Sequence, residues 1–196
     1  MPFDILSLLP EGVIRHLPVL VVLVPLLSAP FCAAIPNWRV TWGITLVAIF
    51  FSGVAAFGLL QEAYAGEPIV YALGGWAPPL GISFVVDKLN APFLILVPII
   101  GFLATLFALP TIMKDIVEEK RSLFFTAYLM CLGGLIGVAV TGDAFNLFVF
   151  LEISSISTYV LVALGSGRDR RALPAAFNYL IMGTIGASFY IIGIGF

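Results

Sequence analysis

Glu152 is a carboxylic acid inside an otherwise uncharged and mostly apolar run, "AFNLFVFLEISSISTYVLVAL". If a helix begins near Ala144, Glu152 lies about 12 Å along it, close to the middle of a hydrocarbon core about 30 Å thick. A charge there costs about 2.5–3.5 kcal/mol on insertion scales, so it normally faces protein or a hydrated cavity. Burial favours the neutral carboxyl and a nearby cation favours the charged one, so such a group can load and release a proton. This predicts ion handling, with a structural hydrogen bond or ion pair as the alternative.

Ser155 and Tyr159 follow Glu152 at helical spacing and place two hydroxyl groups on its side of the helix. Such hydroxyls can hold waters in a proton path. Three further hydroxyl side chains lie around the same helix: Ser154, Ser157 and Thr158. The serines and the threonine can equally donate to carbonyls of their own helix, which is the structural alternative.

Two more polar residues are candidates for supporting roles. Asp143 lies in the short turn "TGDA", where a carboxylate caps the next helix or lies at an ion entrance. Asn178 lies near the start of the last apolar run, where its amide bonds to a neighbouring helix or contributes to a half-channel.

The sequence predicts neither a cofactor nor a metal site. Cys32 and Cys131 stand alone, without C-x-x-C spacing or nearby histidines. No nucleotide loop, catalytic triad, haem ligand pair or quinone-binding pattern is visible. The net charge of -2 is small and dispersed, which excludes a nucleic-acid partner.

The elements that must position these residues are membrane-spanning helices. Of 196 residues, 61% are hydrophobic and only 10% are charged, whereas about a quarter are charged in soluble domains. The predicted fold is an all-α polytopic membrane protein, a single membrane domain over 1–196. Six apolar runs are long enough to span: 17–35, 41–60, 89–113, 122–141, 144–164 and 175–196.

The long connection 61–88 predicts a short β-hairpin on the outer surface. Two segments rich in β-branched and aromatic residues, "IVYALGG" and "GISFVVD", flank the turn signal "WAPPL". An irregular loop is the alternative.

Small residues and prolines predict how the helices pack. Gly133 and Gly137 have G-x-x-x-G spacing, which lets helix backbones approach closely. Pro98 and Pro110 predict kinks or helix ends in the third run, whose freed carbonyls neighbouring helices must satisfy.

Lysine and arginine predict the orientation in the cell membrane. Two of the nine, Arg15 and Lys88, lie on the side of the amino terminus and of the 61–88 loop, and the others lie on the opposite side. By the positive-inside rule, loops 114–121 and 165–174 are cytoplasmic and the amino terminus is outside. The sequence stops within an apolar run, from which we expect a truncated or split form of a longer subunit.

Three segments in the same order carry a family resemblance: "YALGGWAPPLGISFVVDKLNA", "TGDAFNLFVFLEISSISTYVLVAL" and "AAFNYLIMGTIGASFYIIGIG". They resemble the antiporter-like subunits shared by respiratory complex I, membrane-bound hydrogenases and Mrp-type cation/proton antiporters, and among these the Mrp D branch in particular. The resemblance covers residues 68–196 and indicates the amino-terminal portion of such a subunit.

This resemblance implies a role for Glu152, which matches a proton-translocating glutamate of the fifth helix that pairs with a lysine on the seventh. It also implies two inverted helix repeats, of which this chain would contain three peripheral helices and about half of the first repeat. Many members carry lysine where this sequence has Asn178, so the resemblance supplies no cation there.

The predicted function is a proton-translocating subunit of a multisubunit sodium or potassium/proton antiporter, with other membrane subunits, protons, the cation and the lipid bilayer as partners. One alternative is a proton-pumping subunit of a complex I-like NADH-quinone oxidoreductase or membrane-bound hydrogenase. Another is a structural fragment that conducts nothing. The sequence leaves enzyme activity undecided but favours a transporter subunit, with any redox activity in partner subunits.

Overall fold

Helices make up most of residues 10–76 and 80–196, the part of the chain described by this computed structural model. The helices are α1 (Glu11–Ile14), α2 (Leu17–Ala34), α3 (Trp38–Ala65), α4 (Ala91–Phe107), α5 (Leu109–Asp115), α6 (Arg121–Val140), α7 (Ala144–Leu164) and α8 (Ala172–Gly195). By length and composition α2, α3, α6, α7 and α8 can each cross a membrane, and α4 with α5 is a bent pair that can form a sixth span. The predicted all-α membrane fold is confirmed.

The connection after α3 contains the predicted hairpin. Strands β1 (Ile69–Ala72) and β2 (Ser83–Val86) pair antiparallel, with Ile69 opposite Val86. Directly after β1, Gly74 has a φ of 65° and Gly75 a φ of 78°, a left-handed conformation that glycine adopts without strain. The predicted Pro-Pro turn lies outside the described residues.

The third predicted span, 89–113, is broken around Ala108, which agrees with the kink or helix end predicted from Pro110, whereas Pro98 lies inside α4. α4 and α5 meet at 58° around Ala108, and Pro110, which has no N–H to donate, lies in the first turn of α5. The Trp42 indole donates to the carbonyl of Thr105 just before the break, at 3.2 Å. A neighbouring helix therefore satisfies backbone at the break, as lipid contact would require.

α6 is the central helix and contacts α2, α3, α4 and α7. Its glycines lie where these neighbours come closest. A Cβ added at Gly133 would contact the Leu26 side chain, and one at Gly137 would overlap the Phe150 ring. One at Gly134 would lie 2.8 Å from the backbone nitrogen of Ser154. The tight packing predicted from the glycine spacing is therefore present.

Gly134→Ala should destabilise the bundle by about 1–3 kcal/mol, because the new methyl group meets α7 backbone, which cannot move aside like a side chain. Gly43→Ala on α3 is the matched control, since a Cβ there meets nothing within 4 Å. The control should be neutral or stabilising by up to about 1 kcal/mol. Thermal unfolding of the purified membrane protein compares the two, and equal midpoints would contradict the close α6–α7 contact.

Candidate functional site

The first turn of α7 is held by a network of polar contacts. The Asp143 carboxylate accepts a hydrogen bond from the Asn146 backbone N–H at 2.7 Å, which is a helix N-cap. The Asn146 amide donates to the Thr141 hydroxyl at 2.9 Å. Asp143 therefore caps α7, which is one of the two roles predicted for it from the sequence. Asn146, buried at the third helical position, is a residue that sequence reasoning missed.

The hairpin fixes the same end of α7 from outside. The Gly142 N–H donates to the Ser83 carbonyl at 2.9 Å, and Phe84 forms a β-bridge with Thr141. The Phe84 ring lies 6.1 Å from that of Phe150, two residues before Glu152. β2 therefore sets the position of the helix that carries the candidate carboxylate.

α7 has two contact faces. One packs on α6, where Ser154 lies against Gly134 and Phe150 against Gly137. The other packs on α8, where the ring of Phe148 stacks on Tyr190 with centroids 6.4 Å apart. Tyr190 also donates from its hydroxyl to the Ala144 carbonyl at 3.1 Å. No sequence signal pointed to Tyr190, because its contact depends on how α8 lies against α7.

Most α7 hydroxyls bond to their own helix. Ser154 donates to the Leu151 carbonyl at 2.9 Å, Ser157 to Ile153 at 2.7 Å and Thr158 to Ser154 at 2.8 Å. The structural alternative given for these three residues is therefore the one observed. Their protons are engaged by backbone acceptors, which leaves Ser155 and Tyr159 as the candidates for a polar path.

Glu152 is half-buried and lies between the α8 face of α7 and its outer face. At 100° per residue it is about 40° from Phe148, which faces α8, and about 20° from Phe145, which is 61% exposed. Within residues 10–76 and 80–196, the single ion pair joins Arg121 to Glu118, and the Glu152 carboxylate makes no hydrogen bond. Among the described residues, every fully buried side-chain oxygen has a hydrogen-bond partner. The Glu152 oxygens have no such partner, so they reach the surface of the protein.

The predicted path residues are placed unequally. Ser155 is half-buried on the Glu152 side, and Tyr159 is buried with its ring 5.1 Å from that of Tyr179 in α8. A Cβ added at Gly183 would overlap the Tyr159 hydroxyl, so Tyr159 packs directly against this glycine of α8. Asn178 is exposed and lies about 100° around α8 from Tyr179, away from the α7 contact. The structure therefore brings Ser155 and Tyr159 near the Glu152 side but not Asn178.

Comparison with known proteins finds sequence relatives of this chain and solved structures with a similar fold. No protein-family model matches the chain. It is 40% identical over 186 residues to the N subunit of NADH-quinone oxidoreductase from Desulforudis audaxviator, covering 92% of this chain and 36% of that protein. It is 28% identical over 184 residues to the D subunit of the Na+/H+ antiporter from Bacillus subtilis, covering 91% of this chain and 35% of that protein. The chain thus spans about a third of the length of the curated relatives that it matches.

Two solved structures share the fold. One is the membrane-bound sulfane sulfur reductase, an archaeal respiratory membrane complex, with a TM-score of 0.78 and 30% identity over 91% of this chain and 36% of the matched chain. The other is the Mrp complex from Dietzia sp., with a TM-score of 0.81 and 25% identity over 93% of this chain and 34% of the matched chain.

Substitution of Asp143 separates the effect of its helix cap on stability from the effect of its negative charge. Asp143→Ala should destabilise the protein by about 1 kcal/mol, because the Asn146 N–H loses its acceptor. Asp143→Asn should cost much less, since asparagine caps about as well as aspartate and only the charge is removed. Thermal unfolding of both variants measures this difference. If the asparagine variant is as unstable as the alanine variant, the charge and not the cap is what matters.

Proposed function

We propose a function for this chain on the premise that it is a homologue of the antiporter-like membrane subunits of Mrp and complex I-like assemblies, as its sequence motifs predicted. The coarse function is that of a membrane cation/proton antiporter-type subunit that works with other membrane subunits. The finer proposal is that Glu152 is its proton relay. The observation that carries it is a carboxylate near mid-span that makes no hydrogen bond or ion pair among the described residues.

A relay needs a group that changes its protonation at low cost in both directions. In this role the Glu152 carboxylate takes up one proton to become a neutral carboxyl. Approach of a cation favours the carboxylate again and releases the proton. The resemblance supplies a lysine on a following helix as that cation, and the orientation of Glu152 towards the exposed arc of α7 leaves room for it.

The route on one side of Glu152 is proposed to include Ser155 and Tyr159. Each hydroxyl both donates and accepts, so it can pass a proton or hold a water that does. Both residues lie on the side of α7 towards the 165–174 connection, which the positive-inside rule makes cytoplasmic. Asn178 is left out of this route because it lies away from the α7 contact.

Two assemblies are compatible with this relay. The relatives that are D subunits of Na+/H+ antiporters favour exchange of protons for sodium ions, with potassium as the other candidate cation. The 40% identity to an NADH-quinone oxidoreductase subunit favours a proton-pumping arm of a redox complex. Purification of the intact complex distinguishes them, since iron–sulfur or hydrogenase-like subunits co-purify only in the second case. A chain that conducts nothing is the third possibility.

Glu152→Gln tests the relay in inverted membrane vesicles that contain the complete complex. Glutamine keeps the size and polarity of the side chain but cannot exchange a proton, so transport should fall about 100-fold or to background. Dye quenching follows the pH gradient. Glu119→Gln, which changes an exposed loop carboxylate, is the matched control and should keep full rate. Full transport by Glu152→Gln with normal assembly would rule out Glu152 as the relay.

Alanine substitutions of two α7 serines test the proposed proton route. Ser155→Ala removes a hydroxyl that makes no hydrogen bond among the described residues, and transport should slow several-fold. Ser157→Ala removes one that already donates to the Ile153 carbonyl, and the rate should stay within about twofold. The same vesicle assay measures both. Equal rates for the two variants would remove Ser155 from the path.

A further inference from the structure

An apolar groove runs along the outer surface of the bundle between α3 and α4. Its main part encloses about 600 Å³ and is lined by residues that include Phe50 and Gly53 of α3 and Pro98 and Ile99 of α4. A second part of about 290 Å³ shares Phe57 and Ile95 with the first. The two parts therefore adjoin along the same pair of helices.

The groove exists because its floor has little side-chain volume. A Cβ added at Gly53 would make an ordinary contact with the Pro98 side chain, at 3.6 Å, so Gly53 lies against α4 and adds no side chain of its own to the floor. Phe50 and Ile99 form part of its walls and are 56% and 47% exposed. Since α3 can cross a membrane by length and composition, and α4 with α5 is a bent candidate span, the groove lies at the depth expected for the hydrocarbon core.

Along α4, the length of the groove matches one leaflet of a bilayer. On α4 it extends from Pro92 to Leu103, which is about 16 Å of helix. Half of a hydrocarbon core is about 15 Å. At the Pro92 end, the hydroxyl of Tyr64 lies 3.4 Å from the backbone carbonyl of Lys88. Tyrosine and lysine at a helix end are the residues that mark the headgroup level.

The rim of the groove offers a cation for a headgroup. Lys88 is exposed and makes no ion pair within residues 10–76 and 80–196. The neighbouring Asp87 carboxylate accepts from the N–H groups of Leu89 and Asn90, both at 2.8 Å. That carboxylate is held by backbone donors, so the Lys88 ammonium group is available to a phosphate.

From these observations we propose that the α3–α4 groove is a binding site for one phospholipid, with an acyl chain along Phe57, Gly53 and Pro98 and its phosphate at Lys88. The acyl chain of such a lipid fills the groove with apolar surface. Its phosphate pairs with Lys88, one of the two cations on that side of the chain. This site is independent of the proposed proton relay, so each can fail without the other.

Photocrosslinking tests the site. The probe is phosphatidylglycerol with a diazirine midway along one acyl chain, diluted into phosphatidylcholine nanodiscs that hold the complete complex. Mass spectrometry of the wild type should place the main adducts of this chain on α3 and α4 residues of the groove. Gly53→Leu, which fills the groove, should lower these adducts at least several-fold. Gly43→Leu, on the same helix where a Cβ meets nothing within 4 Å, should not.

Two further variants complete the test. Lys88→Ala should lower the adducts in the groove, while Lys114→Ala on the opposite side of the bundle should leave them unchanged. If Gly53→Leu does not fold, Ile99→Trp blocks the groove from an exposed position instead. Adducts spread evenly over all lipid-facing helices, or insensitive to the blocking variant, would overturn the site. A crosslink from the groove to another protein segment would overturn it too, by showing that a helix covers the groove.

Discussion

Every backbone polar group at membrane depth needs a partner within the protein, because the hydrocarbon core offers none. This requirement organises the described bundle. Trp42 donates to the Thr105 carbonyl beside the break between α4 and α5, and Tyr128 donates to the carbonyl of Gly101 one turn earlier at 2.9 Å. Serine and threonine hydroxyls follow the same rule when they donate to carbonyls of their own helices.

Against this background of satisfied polar groups, Glu152 is distinct. Its side chain is the single carboxylate within α7, and it has no partner among the described residues. Three α7 hydroxyls donate to backbone carbonyls in the middle of the helix, and the cap network engages the polar side chains at its start, whereas Ser155 and Tyr159 make no hydrogen bond among the described residues. This open position at the surface of the bundle is the observation on which the relay proposal for Glu152 depends.

The sequence predicted features that depend on local pattern. Apolar runs located the spans, β-branched residues located the hairpin, and the turn before Ala144 located the cap by Asp143. Features that depend on how helices meet were beyond it. Pro110 indicated a kink or helix end in the run 89–113, but it gave neither the angle of 58° nor the helix that packs against the break. α8 is apolar around most of its circumference, so nothing in the sequence indicated that Asn178 faces away from α7. The roles proposed for Glu152, Ser155 and Tyr159 stay predictions, since the geometry gives their positions and not their protonation.

The contact between the hairpin and the α6–α7 turn also constrains how the protein is made. β2 precedes α6 in the chain, yet its Ser83 carbonyl accepts from Gly142, which lies beyond the far end of α6. During synthesis, β2 therefore reaches the membrane surface before its partner exists. The pairing forms only after α6 has crossed the bilayer and delivered the Thr141–Asp143 turn to the side where the hairpin lies. Closure of this end of the bundle thus reports that insertion of the central helix is complete.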